Sequence, residues 1–261
     1  GDPMSYYKGG AISFPGMEQR NAGKYSRSNI GVYGDVAIDF TENTLLNLTG
    51  RYENYSDFGN ALIGKASFRQ KLNGEKLVFR ASASTGFKAP SLHQLNISIN
   101  QSTFINGQIQ ISGLIGNTSD AAKVLNLPSL KAEKSMNFTV GLGFQPNRNF
   151  SMTIDGYYIK IKDRIALSST VPGLNPSDSS LSANFFINGL NTSTYGVDLV
   201  ASYKGISLGN GSLGFNFAGN YNYSKIDSET SDIQNIRDQV KKNTATTANP
   251  NGLDIVPFNR M

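Results

Sequence analysis

Hydrophobic and polar residues alternate one by one over much of the chain between Asn29 and Tyr223. From Leu77 to Ser84 the odd positions are apolar and the even positions are mostly polar. A period of two is typical of a β-strand with one apolar and one polar face. Runs of this kind predict eight strands, at residues 30–40, 46–53, 62–69, 77–84, 136–144, 150–158, 195–203 and 213–223.

The connections between the predicted strands differ in length. Four short turns are predicted at one end of the strands, near Glu42, Gly74, Pro146 and Gly209. At the other end only the connection near Asp57 is short, and we expect long segments without strands at residues 86–131, 163–191 and 224–257. Ser119-Asp120 predicts a short helix at residues 121–125, and Ile233, Ile236 and Val240 have helical spacing. Residues 1–28 show no sustained period and are predicted to be loop.

Charge is confined to one side of the predicted strands. The apolar faces carry no charged residue, and the opposite faces carry Asp35, Asp39, Arg51, Glu53, Lys65, Arg69, Arg80, Asp155, Asp198 and Lys204. A Lys or Arg that faces lipid at mid-depth costs about 2–4 kcal/mol, so an uncharged face is expected under lipid exposure. With the unequal loops, this favours a membrane barrel over a soluble β-sandwich, in which the apolar faces would pack together.

Three short motifs add to this pattern. Residues 80–95, RASASTGFKAPSLHQL, are similar to RAS-x-STGF-[RK]-AP-S-L-x-Q-L, with Lys88 where Arg is usual. Residues 127–137, LPSLKAEKSMN, are similar to N-P-x-L-K-x-E-x-S-x-N, with Leu127 in place of Asn. Residues 196–199 are similar to G-[VI]-E-L, with Asp198 for Glu. Together these motifs resemble the barrel of TonB-dependent outer-membrane receptors.

The resemblance implies an all-β fold, an antiparallel meander that forms part of a large transmembrane β-barrel. Residues 1–261 would supply about eight of its roughly 22 strands, without the plug domain or the terminal strands. It also implies a receptor in the cell outer membrane of a Gram-negative bacterium that takes up a scarce ligand by TonB-coupled active transport. Such a protein is not an enzyme. The implied partners are outer-membrane lipid and lipopolysaccharide, TonB through the plug domain, and a small ligand such as a siderophore, haem, vitamin, glycan or peptide.

Ligand contacts are expected in three loops, at residues 87–103, 171–186 and 224–249. The candidate contact residues are Phe87, Lys88, His93, Gln94, Phe185 and Phe186. The residues expected to face the barrel lumen are Asp35, Arg51, Glu53, Arg80, Asp155 and Asp198. His93 lies between boxes that resemble those flanking the haem-ligating histidine of haem-uptake receptors, but it is unusually close to the first box. We favour the interpretation that His93 lies at the rim of the barrel and makes an ordinary hydrogen bond.

Composition narrows the remaining possibilities. The formal charge is +5, with one histidine and no cysteine, so a disulfide, a thiolate metal site and a multi-histidine metal cluster are excluded. We expect no cofactor. No basic helix or ribonucleoprotein-type strand motif indicates nucleic-acid binding. The alternative to the receptor is a surface or secreted β-rich, adhesin-like protein that binds a partner without transport, and a soluble hydrolase ranks third.

Overall fold

The computed structural model describes residues 23–105, 108–124, 126–168, 171–172 and 181–244. Eight long strands are present, as the alternation predicts: β1 (Asn29–Thr41), β2 (Thr44–Tyr55), β3 (Gly59–Leu72), β4 (Leu77–Lys88), β7 (Glu133–Phe144), β8 (Phe150–Leu167), β10 (Leu181–Leu208) and β11 (Gly211–Glu229). The other elements are β5 (Ile99–Ile105), β6 (Gln108–Ile115), β9 (Val171–Pro172), α1 (Leu92–Asn96), α2 (Asp120–Val124) and α3 (Ser231–Thr244). The all-β fold is confirmed.

The eight long strands form an antiparallel meander in the order β1-β2-β3-β4-β7-β8-β10-β11. Strands β5 and β6 form a hairpin that joins the sheet at one end of β10, where β6 runs parallel to β10. Within the described ranges, β1 pairs only with β2 and β11 only with β10, so the meander has two open edges. No helix in this part of the chain is long and apolar enough to cross a membrane.

The predicted Asn-Gly hairpin joins β3 to β4. Asn73 and Gly74 have φ angles of 52° and 62°, in the left-handed region that Asn and Gly adopt most readily. Lys71 donates a hydrogen bond of 2.7 Å to Glu75 in this turn, and the bond lowers the pKa of the Glu75 carboxyl. The hairpin therefore combines permissive backbone residues with a charge-assisted hydrogen bond.

The strand register gathers the apolar residues on one face of the sheet. One row across all eight long strands consists of Val36, Leu48, Ala66, Ala83, Phe138, Tyr158, Tyr195 and Tyr223. No second layer of described residues covers this apolar face: the exposed fractions of Leu48, Val140 and Phe217 are 43%, 53% and 60%. A soluble β-sandwich would bury these residues, so the exposed face fits contact with lipid.

The opposite face of the same sheet is polar and charged. One row across the eight strands reads Asp39, Leu45, Arg69, Arg80, Gly141, Asp155, Asp198 and Asn220. The two rows lie on opposite faces because successive residues of a strand alternate between faces. Over the predicted strand spans the sheet therefore separates an uncharged side from an ionic side, as the sequence predicts. Charges on the apolar side, such as Lys134, Lys160 and Lys162, lie at the end nearest the cap.

The long connections fold together into a cap over one end of the sheet. The cap contains all ten of the buried apolar residues in the described part of the chain: Ile115, Ala122, Leu130, Ala166, Ala183, Phe185, Ile187, Leu190, Ile233 and Ile236. Five of these residues, Ala166, Ala183, Phe185, Ile187 and Leu190, lie at the cap ends of β8 and β10, and below the cap the long strands bury little apolar surface against other described residues. Hydrophobic packing thus stabilises the cap, whereas the strands below it are held mainly by ladder hydrogen bonds.

The prediction that residues 86–131 lack strands is wrong, because they contain the β5–β6 hairpin as well as α1 and α2. Residues 163–191 were also expected to lack strands, but β8 continues to Leu167 and β10 begins at Leu181. In the third segment β11 extends to Glu229. The physical reason is that neighbouring strands keep pairing beyond the predicted span, which satisfies their backbone groups in the cap.

The helices predicted in the long segments are present. Ser119 accepts a hydrogen bond of 3.1 Å from the Ala122 amide and so caps α2 as predicted. Helix α3 spans Ser231–Thr244 and buries Ile233 and Ile236 in the cap, in agreement with their spacing. Position 125, residues 1–22 and residues 245–261 lie outside the described residues, so the predictions made there are not tested.

Candidate ligand-binding mouth and inner wall

An ion pair on the polar face connects two strands that are not neighbours. Arg80 of β4 donates through Nη2 to both carboxylate oxygens of Asp155 on β8, at 2.8 and 3.0 Å. Gly141 of β7 lies between them in register. A Cβ atom at Gly141 would overlap Oδ1 of Asp155, so the missing side chain leaves the space in which the pair forms. Two of the six residues predicted to face the lumen, Arg80 and Asp155, are thus brought together.

We expect Gly141→Ala to lower the free energy of unfolding by about 1 kcal/mol, because it displaces Asp155 and weakens a half-exposed ion pair. Gly143→Ala is the matched control, since a Cβ there meets its nearest atom at 3.8 Å. Chemical denaturation of the protein in lipid measures both. In an Asp155→Ala background Gly141→Ala should no longer lower the free energy of unfolding. An unchanged decrease would show that the added Cβ overlaps atoms other than those of Asp155.

A cavity of about 350 Å³ opens on the polar face beside this ion pair. Lys65, Arg69 and Arg80 line it together with Asp155, so cations outnumber carboxylates there. The Nε of Arg69 is buried and has no hydrogen-bond partner among the described residues. Such a surface can accept anionic or hydroxyl-rich groups.

The other predicted lumen-facing residues lie on the same face, each in a local network. Asp35 accepts hydrogen bonds from Asn47 at 2.7 Å and Thr49 at 2.6 Å. Asp198 accepts a hydrogen bond from Asn220. Arg51 contacts Glu53, whose side chain also accepts from the Tyr55 hydroxyl at 2.8 Å. Glu53 is only 2% exposed, so it does not present a free carboxylate on this face.

Two buried polar side chains organise the base of the cap. Glu133 accepts hydrogen bonds of 3.2 Å from the Lys88 ammonium and from the Ile165 amide, which ties β4, β7 and β8 together. Asn188 accepts from the Lys131 amide at 2.7 Å and donates to the carbonyls of Lys131 at 2.9 Å and Asp163 at 2.6 Å. Both groups make hydrogen bonds within the protein, so their role in this conformation is to position the loops around the mouth.

The candidate ligand residues of the first loop are placed in different environments. Phe87 packs against Tyr55 and Phe58, with ring centroids 5.6 and 6.1 Å apart. Lys88 is exposed and contacts Glu133. His93 is exposed on α1. Gln94 forms a capping box with Ser91 at the start of α1, which occupies its side chain. His93 and Lys88 are therefore the accessible polar groups of this set.

The two candidate phenylalanines of the second loop differ in accessibility. Phe185 is 1% exposed in the cap core, whereas Phe186 is partly exposed. In this conformation Phe185 supports the cap and only Phe186 can reach a ligand. Residues 173–180 of the same predicted loop lie outside the described residues.

Sequence reasoning missed Asn188 and Glu133 as organising residues. Glu133 lies in the second motif, which was a usable signal, whereas nothing in the sequence around Asn188 marks it. No group of three or more His, Cys, Asp or Glu side chains in the described ranges could hold a metal ion. Residues 205–209 read Gly-Ile-Ser-Leu-Gly, the spacing of a hydrolase nucleophile elbow. They end β10 at a hairpin to β11 and not at a strand-to-helix turn, so the hydrolase context is absent there.

The chain matches the family described as "TonB dependent receptor-like, beta-barrel" over residues 2–260. The chain belongs to this family. Its members are transport receptors and not enzymes, and membership supports an outer-membrane receptor. The resemblance that the three motifs indicated is thereby confirmed. No curated protein is a significant match to this chain.

Solved receptor structures share the fold of this receptor barrel. The siderophore receptor PirA from Pseudomonas aeruginosa is 22% identical, with a TM-score of 0.57 over 77% of this chain and 35% of its own. PirA from Acinetobacter baumannii is 17% identical, with a TM-score of 0.55 over 85% and 32%. The ferric enterobactin receptor PfeA from Pseudomonas aeruginosa, as a G324V mutant, is 18% identical, with a TM-score of 0.56 over 80% and 29%. The chain thus spans about a third of these proteins.

Proposed function

We propose that this chain forms part of the wall and outer mouth of a receptor in a Gram-negative outer membrane that imports a scarce ligand by TonB-coupled transport. The observation that carries the proposal is the division of one sheet into two faces, one exposed and uncharged between the short turns and the cap end and the other charged, in a chain of this family. Further strands of the full-length receptor would pair with the open edges of β1 and β11. A plug domain elsewhere in that receptor would contact the polar wall and TonB.

The proposed ligand is an iron-chelating siderophore. Two receptors of similar fold are named for siderophores and one for ferric enterobactin, and the polar cavity with Lys65, Arg69 and Arg80 suits an anionic chelate. Lys88 and Phe186 would make the first contacts at the mouth. Haem is the second ligand to test, because exposed His93 could ligate iron. Vitamins, glycans and peptides lack a comparable observation in their favour.

The test uses a receptor-null strain complemented with the full-length receptor and grown under iron limitation. Uptake of radiolabelled iron from a panel of siderophores and haem should depend on the receptor and on TonB, while binding should persist without TonB. Uptake that persists in a TonB-null strain would contradict coupled transport. Cell-surface adhesion without any uptake would favour the adhesin-like alternative.

A loop variant tests the proposed contact region. Asn100 pairs with Gly113 in the β5–β6 hairpin, so residues 101–112 can be replaced by a two-residue turn without moving the hairpin ends. If the mouth binds the ligand, uptake should fall by about tenfold or more while surface display is unchanged. His93→Ala, made separately, should reduce haem uptake only if haem is the ligand. Normal uptake by the hairpin variant would place ligand binding elsewhere.

A further inference from the structure

Three lysines cluster on the apolar face at the end of the sheet nearest the cap. Lys134 of β7 lies directly opposite Lys162 of β8, and Lys160 lies opposite Met136, one step closer to the middle of the strands. Residues in register on antiparallel strands have Cβ atoms about 5 Å apart, and residues two positions apart on a strand are separated by about 7 Å. The three ammonium groups therefore share one small area, which we call the lysine patch.

The lysine patch has no counter-charge within the described residues. None of its three lysines has a carboxylate within 4 Å there. Lys225, two strands away on the same face, is matched by Asp227 at 3.6 Å. Like charges directly opposite each other destabilise a strand pair. An arrangement of this kind is compensated when an anion binds between the lysines.

A groove adjoins the lysine patch. The pairing of β3 with β4 ends at Lys65 and Ser84, although both strands continue beyond these residues. Beyond that point the Gly64 amide donates to the Thr85 hydroxyl at 3.0 Å, and a cavity of about 440 Å³ opens. Its lining combines the three lysines with Leu62, Phe87 and Met136. One end of the groove thus suits an anion and the other a hydrocarbon chain.

We propose that this groove binds the phosphorylated headgroup of a lipopolysaccharide molecule in the outer leaflet. The phosphate would lie between Lys134, Lys160 and Lys162, and an acyl chain would lie along Leu62 and Met136. The patch lies on the face that meets lipid, at the level where the apolar band ends, so a lipid headgroup reaches it directly. The inference rests on the proposed outer-membrane location but not on the identity of the transported ligand.

The test measures binding of diphosphoryl lipid A to the detergent-solubilised full-length receptor. The triple variant Lys134→Gln, Lys160→Gln, Lys162→Gln should raise Kd by about 100-fold, since each lysine near a lipid headgroup contributes about fivefold. A charge-matched control, Lys76→Gln, Arg148→Gln, Lys204→Gln, removes three exposed cations near the short turns at the other end of the sheet and should leave Kd unchanged. Heat-modifiable mobility on gels verifies that both variants are folded.

Two further arms separate the possible sources of affinity. Dephosphorylated lipid A should bind the wild type and the triple variant weakly and with equal Kd. Inorganic phosphate at millimolar concentration should not compete with diphosphoryl lipid A for the wild type. Equal Kd values for the wild type and the triple variant, or inorganic phosphate that competes as well as lipid A, would overturn the proposal. Stability in phosphatidylcholine vesicles gives an independent readout: the triple variant should match or exceed the wild type, because repulsion between the lysines is removed. Siderophore uptake that fails while lipid A binding persists would refute the proposed function alone.

Discussion

Arginine in place of Val140 is expected to lower the free energy of unfolding in a lipid bilayer by about 2–4 kcal/mol. Val140 lies within β7 on the apolar face, is 53% exposed and pairs with Ala81 and Gly156. None of the described residues forms a layer above its side chain, so we expect an arginine there to meet hydrocarbon. The loss corresponds to a decrease of about 30- to 1000-fold in the ratio of folded to unfolded receptor. Denaturant titration of the full-length receptor in lipid vesicles measures it.

Thr139→Arg is the matched control, because Thr139 is the preceding residue and points to the polar face. This change loses one hydrogen bond of 2.7 Å with Ser82, worth about 1 kcal/mol, and places the new charge in water. Val140→Arg should therefore cost clearly more than Thr139→Arg. Equal costs, or a larger cost at Thr139, would show that the apolar face does not contact lipid, and the barrel assignment would fail.

The eight long strands could be predicted from the sequence because one physical constraint acts along most of their length. Between the short turns and the cap end, lipid excludes charge from every second residue, and water and ion pairs favour polar groups at the others. Among the described residues no protein layer covers positions such as Leu48 and Phe217, so tertiary packing does not compete with this pattern there. The alternation in the sequence therefore corresponds directly to the two faces of the sheet.

The cap was harder to predict because packing among distant segments stabilises it. Gln and Ile alternate over residues 108–111 just after Asn106-Gly107, a strong hairpin signal that favours the β5–β6 hairpin but is easily overlooked in a polar segment. No local pattern tells which of two adjacent phenylalanines is buried. Phe185 is in the core and Phe186 at its edge because of how β10 pairs with β6 and β8.

The networks of the site depend on the register and not on local sequence. Arg80 and Asp155 are 75 residues apart, and they meet only because Gly141 lies between them in the sheet. The sequence predicts correctly that both side chains lie on the polar face, but it does not predict their pairing. Glu53 shows the same limit: its face could be predicted, whereas its burial by Arg51 and Tyr55 could not.

Alanine in place of Asn188 is expected to destabilise the cap by about 3 kcal/mol or more. Asn188 is 2% exposed, and its side chain is the partner of the Lys131 amide and of two carbonyls, those of Lys131 and Asp163. The substitution leaves these three backbone groups without that partner, at about 1–3 kcal/mol for each one that stays buried. Because Asn188 ties three segments together, the loss should open the cap locally while the strands below stay paired.

Hydrogen exchange of the full-length receptor in lipid tests this separation of cap and wall. Amides of residues 113–116, 163–168 and 183–190 should exchange faster in Asn188→Ala, while those of β2 and β3 should keep their protection. Asn222→Ala is the control, since Asn222 is exposed and its side chain donates to Asn220 on the polar face. Siderophore binding should weaken in Asn188→Ala alone, because the mouth residues are held by the cap. Simultaneous loss of protection in cap and strands would contradict an independently opening cap, since it would mean that the hydrophobic cluster and the lipid-facing sheet unfold as one unit.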